Sequence, residues 1–253
     1  MAEEKERLDV LVARFGLTES REKAARLILA GEVKVNGRVE TKAGRRWKPD
    51  IQIEVRKCPR FVGRGGEKLE AALDSFSIEV SGLVCLDIGA STGGFTDCML
   101  QRGALRVYAV DVGRGQLNWR LRNDDRVVVM EKVNARRLHP SDLNEMPGFA
   151  AVDVSFISLT MILPAVIKTL SSGSEMVTLI KPQFEAERGQ VGRGGVVRDE
   201  NVRRDVVEKI RIAGEKLRGL QWLDCMESPL KGPAGNVEYL AHWGVWQDVS
   251  GRE

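Results

Sequence analysis

Apolar positions along the chain recur at two periods, and the change of period marks out its parts. In "RLDVLVARFG", Leu8, Leu11, Val12 and Phe15 fall at i, i+3, i+4 and i+7, which predicts an amphipathic helix ending at Gly16. "TESREKAARLILAG" repeats the pattern, with Ala24, Leu27 and Ile28 on one face, Thr18 and Ser20 as capping candidates and Gly31 as the stop. "EVKVNGRVET" changes to period two. Val33, Val35 and Val39 alternate about Asn36-Gly37, a two-residue hairpin signal.

The stretch "RKCPRFVGRGG" holds four basic residues, one proline and three glycines, and reads as a linker or hinge. It divides a small domain over residues 1–58 from a larger one over 67–253, with the linker at 59–66. Glu67 to Phe76 reads as a helix with Leu69, Ala72, Leu73 and Phe76 apolar. Strand "LVCLDIG", loop "ASTGG", helix "FTDCMLQRG" and strand "RVYAVDVG" then make a βαβ unit, for which a right-handed crossover is expected. Two further buried runs close at Asp153 in "FAAVDVSFISL" and at Lys181 in "EMVTLIKPQFE". "ENVRRDVVEKIRIAGEKLRG" is an amphipathic helix. "LQWLDCMESPL" and "NVEYLAHWGVW" read as a final antiparallel pair, with Glu238 near the start of the last strand. Alternating strands and helices of this kind predict an α/β fold.

Composition narrows the class. The 253 residues are 43% hydrophobic, enough for a large and a small core. No apolar run reaches the ~20 residues of a membrane-spanning helix. The charged start, Met1 to Arg7, lacks the apolar region of a signal peptide, which points to the cytoplasm. Cys58, Cys85, Cys98 and Cys225 form no CxxC pair, so neither a metal site nor a disulfide framework is expected. The net charge of +3 is unevenly placed. Residues 1–66 carry 6 Lys and 10 Arg against 10 acids, so the remainder is acidic. A basic excess confined to one segment suits an acidic partner such as nucleic acid.

The candidate chemistry lies at the strand ends. A glycine-rich turn followed by an acid is the logic of nucleotide-cofactor binding: glycines permit close approach and the acid takes ribose hydroxyls. The pattern is Gly89-x-x-x-Gly93-Gly94, not G-x-G-x-x-G, which favours S-adenosylmethionine, a cofactor without a pyrophosphate, over a dinucleotide. The competing reading is a tight turn in an ordinary α/β sheet. Asp87, Asp111, Asp153 and Lys181 all close apolar strands, and ligands of open α/β sheets sit outside those carboxyl ends. Charged groups there are costly unless paired or used. Other methyl-transfer chemistries leave marks that are absent: there is no Pro-Cys dipeptide and no Asp/Asn-Pro-Pro-aromatic motif.

Two resemblances follow. The stretch from Arg7 to Asp50, with "R-L-D … S-R … A … I … G-x-V-x-V-N-G", resembles the small α+β RNA-binding fold shared by a small-subunit ribosomal protein, pseudouridine synthases and tyrosyl-tRNA synthetase. It implies structured-RNA binding, with Arg7, Arg21, Lys23, Arg26, Lys34 and Arg38 as candidate phosphate contacts, and Arg64 of the linker beside them. Across nearly the whole chain, "FVGRGGEKL", "LDIGASTGGFTD", "AVDVG", "VNARRL", "DVSFISL", "LIKPQFE" and "GNVEYL" resemble the TlyA/hemolysin-A family, of the FtsJ-type ribose methyltransferase superfamily. The hinge is "PRFVGRGG" where family members often carry Arg-x-Trp-Val.

The resemblance implies a Rossmann-like class I methyltransferase with a mostly parallel seven-stranded sheet. It implies S-adenosylmethionine-dependent 2′-O-methylation of ribosomal RNA, on cytidine. Asp87, Gly89, Ser91, Gly93, Gly94, Asp111, Asn134 and Asp153 are then the cofactor contacts. The superfamily's Lys-Asp-Lys-Glu tetrad falls on Lys68, Asp153, Lys181 and Glu238. Chemistry supports the assignment, because a ribose hydroxyl is a weak acid and an ammonium beside it stabilises the developing oxyanion. Two structural salt bridges are the plainer reading of these four residues. The alternatives to an enzyme are a non-catalytic ribosome-assembly factor and a membrane-active hemolysin.

Overall fold

The computed structural model describes residues 5–18, 20–55 and 60–246. The expected domain boundary at residue 58 and the first residue of the expected linker lie outside them. The chain forms two compact units that divide between residues 58 and 59.

In the first unit, β1 (Glu6–Arg7) runs into α1 (Leu8–Arg14), followed by α2 (Arg21–Leu29), β2 (Val33–Val35), β3 (Arg38–Val39), β4 (Arg46–Trp47) and β5 (Ile53–Val55). Strands β3, β2 and β5 form one antiparallel sheet, and β1 pairs with β4. Asn36 and Gly37 take φ of 50° and 77°, the two left-handed residues that a tight hairpin turn needs. The Ser20 hydroxyl accepts the Lys23 N–H at 3.2 Å and caps α2. Leu8, Leu11, Val12, Ala24, Ile28, Val33 and Val35 are buried. Two expected core positions face outward. Phe15 caps α1 with its ring under the Arg14 guanidinium, and Val39 lies on the two-residue edge strand β3.

Asp9 is buried, yet it is well partnered. Its carboxylate accepts two bonds from Arg7, at 3.0 and 2.9 Å, and one from Arg21 at 3.1 Å. The pair ties the start of α1 to the start of α2.

The second unit contains α3 (Gly65–Phe76), β6 (Val84–Ile88), α4 (Gly94–Gln101), β7 (Arg106–Asp111), α5 (Trp119–Arg122), β8 (Val127–Glu131) and β9 (Phe149–Val152). It continues with α6 (Leu163–Val166), β10 (Ser174–Ile180), α7 (Pro182–Glu185), α8 (Glu200–Glu215), β11 (Leu220–Glu227) and β12 (Tyr239–Val245). Seven strands form one sheet in the order β11-β12-β10-β9-β6-β7-β8. The five from β10 to β8 are parallel; β12 runs against β10, and β11 against β12. Both sheet faces are covered, so the strands are apolar on both sides. Alternate residues divide between two cores. Cys85, Val107, Phe149 and Val177 face α3 and α4, while Leu86, Tyr108, Ala150 and Met176 face α6 and α8.

The expected linker is partly structure. Helix α3 starts at Gly65, two residues before the expected start, and Phe61 is buried. The Val62 N–H donates to Asp97 at 2.8 Å. Gly94 opens α4 so close to Gly63, Gly65 and Gly66 that a side chain at Gly94 would strike their backbone. The glycines that suggested a hinge permit this helix contact instead.

Arg7 holds the Asp9 carboxyl below its usual range. A lowered folded pKa stabilises above the unfolded value, near 4, and the stabilisation is lost as pH falls through the lowered value. Asp9→Ala is therefore expected to cost about 1–3 kcal/mol at neutral pH. In thermal unfolding of the full chain, the gap to wild type should close below about pH 4.

Candidate active site

Register builds the site. The last paired residues of the parallel strands are Ile88 with Val110 and Ile88 with Val152, so the next rung carries Gly89, Asp111 and Asp153. The Gly89 N–H donates to the Val110 carbonyl at 2.8 Å, and the Asp153 N–H to that of Ile88 at 2.8 Å. Gly89 has φ 85°, and a Cβ there would collide with the Asp153 carbonyl. A cavity of about 490 Å³ opens over this rung. Gly89, Ser91, Asp111, Gln116, Asn134 and Asp153 line it with polar groups, between apolar walls that include Val110, Val133 and Ile162.

Asp111 organises the rim. One carboxylate oxygen accepts the Ser91 N–H at 2.8 Å and the other the Gly113 N–H at 2.6 Å. Each oxygen keeps a lone pair for a ribose hydroxyl. The Ser91 hydroxyl reaches Gln116 at 3.3 Å. Asn134 caps the turn Ala135–Arg137 through its side-chain oxygen. The cavity has the size and mixed lining of a nucleoside-cofactor pocket, and the bare Gly89 provides close approach, so these residues fit S-adenosylmethionine.

Three expected cofactor residues stand behind the wall. Asp87 lies on the same face as Gly89 but two residues deeper in its strand, where it meets Thr96 of α4 and does not line the cavity. It is fully buried, and one oxygen takes both the Thr96 N–H (2.8 Å) and the Thr96 hydroxyl (2.6 Å). Burial pushes its carboxyl up to about 7. Gly93 is needed because a Cβ would strike Leu121 and Leu117, and Gly94 because of the α3 contact. These residues shape the loop and do not line the cavity.

The four tetrad candidates form two ion pairs. Lys181 caps α7 and meets Asp153 at 2.5 Å; its ammonium also donates to the Ser155 hydroxyl at 2.9 Å. Lys68 on α3 pairs with Glu238, just before β12, and both are buried. The β10–β12 ladder ends at Ile180 with Tyr239, so the next rung sets Lys181 opposite Glu238. Asp153, Lys181 and Glu238 thus lie at the same sheet end as the cavity.

Several residues there were not singled out from the sequence. Gln116 and Phe156 line the cavity, and Phe184 packs its ring 4.9 Å from that of Phe156. Phe156 is 90% exposed and takes φ 64°, a backbone conformation that bulky residues avoid. The exposed aromatic in "DVSFISL" was the available signal; its left-handed backbone leaves no trace in composition.

The RNA candidates are unequally placed. Arg26, Lys34 and Arg38 are exposed, the last two on adjoining strands of one hairpin, and Lys23 is half-buried. Arg7 and Arg21 are exposed as well, and each also bonds Asp9. Arg64, in the second unit, is exposed ahead of α3. Among the described residues there is no cluster of three or more metal-ligating side chains.

A mostly parallel seven-stranded sheet with a reversed last strand, a glycine loop after its first strand and an acid after its second is that of a Rossmann-like methyltransferase using S-adenosylmethionine. The chain belongs to the FtsJ-like methyltransferase family, which residues 61–245 match, and residues 6–52 match the S4 domain. It is 49% identical to Hemolysin A of Brachyspira hyodysenteriae over 94% of this chain and 99% of that protein. It is 45% identical to the 16S/23S rRNA (cytidine-2′-O)-methyltransferase TlyA of Mycobacterium tuberculosis (strain ATCC 25618 / H37Rv), over 92% of this chain and 88% of that one. A solved structure of a protein named as a hemolysin, from Streptococcus thermophilus, superposes with a TM-score of 0.72 at 46% identity, over 98% of this chain and 92% of that one.

Asp111→Ala is expected to weaken S-adenosylmethionine binding by about 1–3 kcal/mol in calorimetry, with the fold unchanged by circular dichroism. Asp87 gives a pH signature. Its folded pKa lies above the unfolded value near 4, so the folded state holds the extra proton and stability falls as pH rises from about 4 to 7. In Asp87→Asn that decline should shrink, as read by denaturant unfolding across this range.

Proposed function

We propose that this protein transfers a methyl group from S-adenosylmethionine to the 2′-hydroxyl of a cytidine in ribosomal RNA, through Lys68, Asp153, Lys181 and Glu238. The observation that carries the reading is the Lys181–Asp153 pair, whose carboxylate belongs to the cavity wall. The bound cofactor supplies an electrophilic methyl on a sulfonium. The chain's residues then handle the acceptor oxygen. Asp153, an acceptor only, orients the Lys181 ammonium and takes a hydrogen bond from the ribose. Lys181 donates to the oxygen as negative charge develops on it; the oxygen–methyl bond forms as the sulfonium–methyl bond breaks, and the hydroxyl proton leaves along its hydrogen bond to Asp153 and on to water. Lys68 and Glu238 hold the neighbouring sheet end, each lowering the other's cost of burial.

Phe156 offers an exposed ring at the cavity mouth, a face on which a base drawn out of its stack can rest. The first unit supplies affinity through Arg26, Lys34 and Arg38, phosphate contacts that position RNA without reading its sequence. A ribosomal substrate puts the reaction in the cytoplasm. The hemolysin reading has less support: among the described residues no helix is long and apolar enough to cross a membrane.

Tritiated methyl transfer to intact ribosomal subunits, followed by mass-spectrometric mapping of nuclease fragments, tests the activity. A methyl group on a base nitrogen, or cofactor binding without transfer, would contradict it. Lys181→Ala should lower turnover about 10²–10³-fold, the scale seen when one oxyanion donor is removed. Cofactor and RNA affinity should change little, because the interaction strengthens in the transition state. Lys181→Arg should not restore turnover, since a planar guanidinium cannot occupy the place of a point ammonium.

A further inference from the structure

Two stretches of chain, Asp153 to Leu159 and Lys181 to Glu185, are joined at successive points. Lys181 reaches Asp153 at 2.5 Å and Ser155 at 2.9 Å. The rings of Phe156 and Phe184 lie 4.9 Å apart. Glu185 closes the join. One carboxylate oxygen accepts the Ser158 hydroxyl at 2.6 Å, and the other the Leu159 N–H at 2.7 Å. Its side chain is buried, and its own carbonyl accepts the Lys209 ammonium, from α8, at 2.6 Å.

A buried carboxylate is held where it has partners, and both side-chain partners of Glu185 come from the other stretch. Glu185 ends α7, the single helical turn that Lys181 begins. The turn is therefore fastened to the Asp153 stretch at both ends, by an ion pair at one and by this carboxylate at the other. Between the fastenings sits Phe156 with its positive φ. Such a backbone conformation persists when the surroundings over-determine it. The Asp153 N–H to Ile88 carbonyl bond anchors one side of Phe156, and Glu185 anchors the other.

We propose that Glu185 is a positioning residue for methyl transfer. Its carboxylate locks the Asp153–Leu159 stretch against α7, so that Asp153, Phe156 and Lys181 present one geometry to the acceptor ribose. The inference rests on the catalytic reading of Asp153 and Lys181 given above. Glu185 itself touches neither RNA nor cofactor. Small displacements of groups that orient reactants cost about 10²-fold per ångström, so the effect belongs in turnover and not in binding.

The test is steady-state methylation of intact ribosomal subunits by the full chain. Glu185→Ala should lower kcat about 10²-fold, with the KM for RNA and the cofactor Kd within about 3-fold of wild type. Glu185→Gln keeps an acceptor for the Leu159 N–H and a polar partner for Ser158, and should recover most of that loss. Should Glu185→Ala fail to fold, Ser158→Ala removes one of the two bonds, and its kcat should fall about 5-fold at unchanged KM. An unchanged kcat in a folded Glu185→Ala or Ser158→Ala protein, a loss carried wholly by KM, or a Gln variant no better than Ala would overturn the proposal. Failure of the wild-type protein to methylate ribose would overturn the catalytic reading instead.

Discussion

Lys68 and Glu238 lie 170 residues apart in sequence, and their charges meet in the interior of the second unit. Neither charge could be buried alone at acceptable cost, so the helix that opens this unit must dock against the segment that leads into its last sheet strand. The chain is shaped around that meeting. The Ser228 N–H bonds to the Glu238 carbonyl, and Gly232 is bare where a Cβ would strike the Glu238 carboxylate. Glu238 leads directly into β12, whose antiparallel pairing with β10 sets the next rung at Lys181. One buried pair thus locates the sheet end at which the other pair, Lys181 with Asp153, stands partly exposed, its carboxylate in the cavity wall. Removing one partner of such a buried pair costs about 3–5 kcal/mol, whereas a partly solvated pair is worth much less.

The cofactor side of the site follows from strand register. Parallel strands of equal register end together, and the side chains of the next residues emerge where water, or a ligand, takes over from the sheet. Gly89, Asp111 and Asp153 share that rung. Asp87, two residues earlier than Gly89 on the same face, lies deeper against α4, and its neighbourhood is dry enough to raise its pKa to about 7. A carboxyl in that condition serves the helix–strand contact through Thr96. Asp87, Asp111, Asp153 and Lys181 share one strand parity, and depth along the strand, not the face, separates the core carboxyl from the groups at the sheet end.

The first unit works by different physics. Its core is small, and the Asp9 carboxylate adds to it by drawing Arg7 and Arg21 across the starts of two helices.

Local patterns in the sequence determined much of this protein. The apolar periods located both helices of the first unit, the strand–helix alternation of the second and the hairpin at Asn36-Gly37, because neighbouring residues alone decide such signals. The motif residues also placed Asp111, Asp153 and Lys181 at strand ends. Tertiary structure decided what those residues meet. It turned Phe15 and Val39 outward, because a short helix ended at Arg14 and a short strand lay at a sheet edge. It made the glycines of "FVGRGG" a helix contact and not a free hinge, since Gly94 had to approach them. It paired Lys68 with Glu238, gave Asp87 to Thr96 and brought Glu185 to Ser158. These pairings span from nine to 170 residues of chain, and the packing of their elements against a common sheet determines which side chains come within bonding distance.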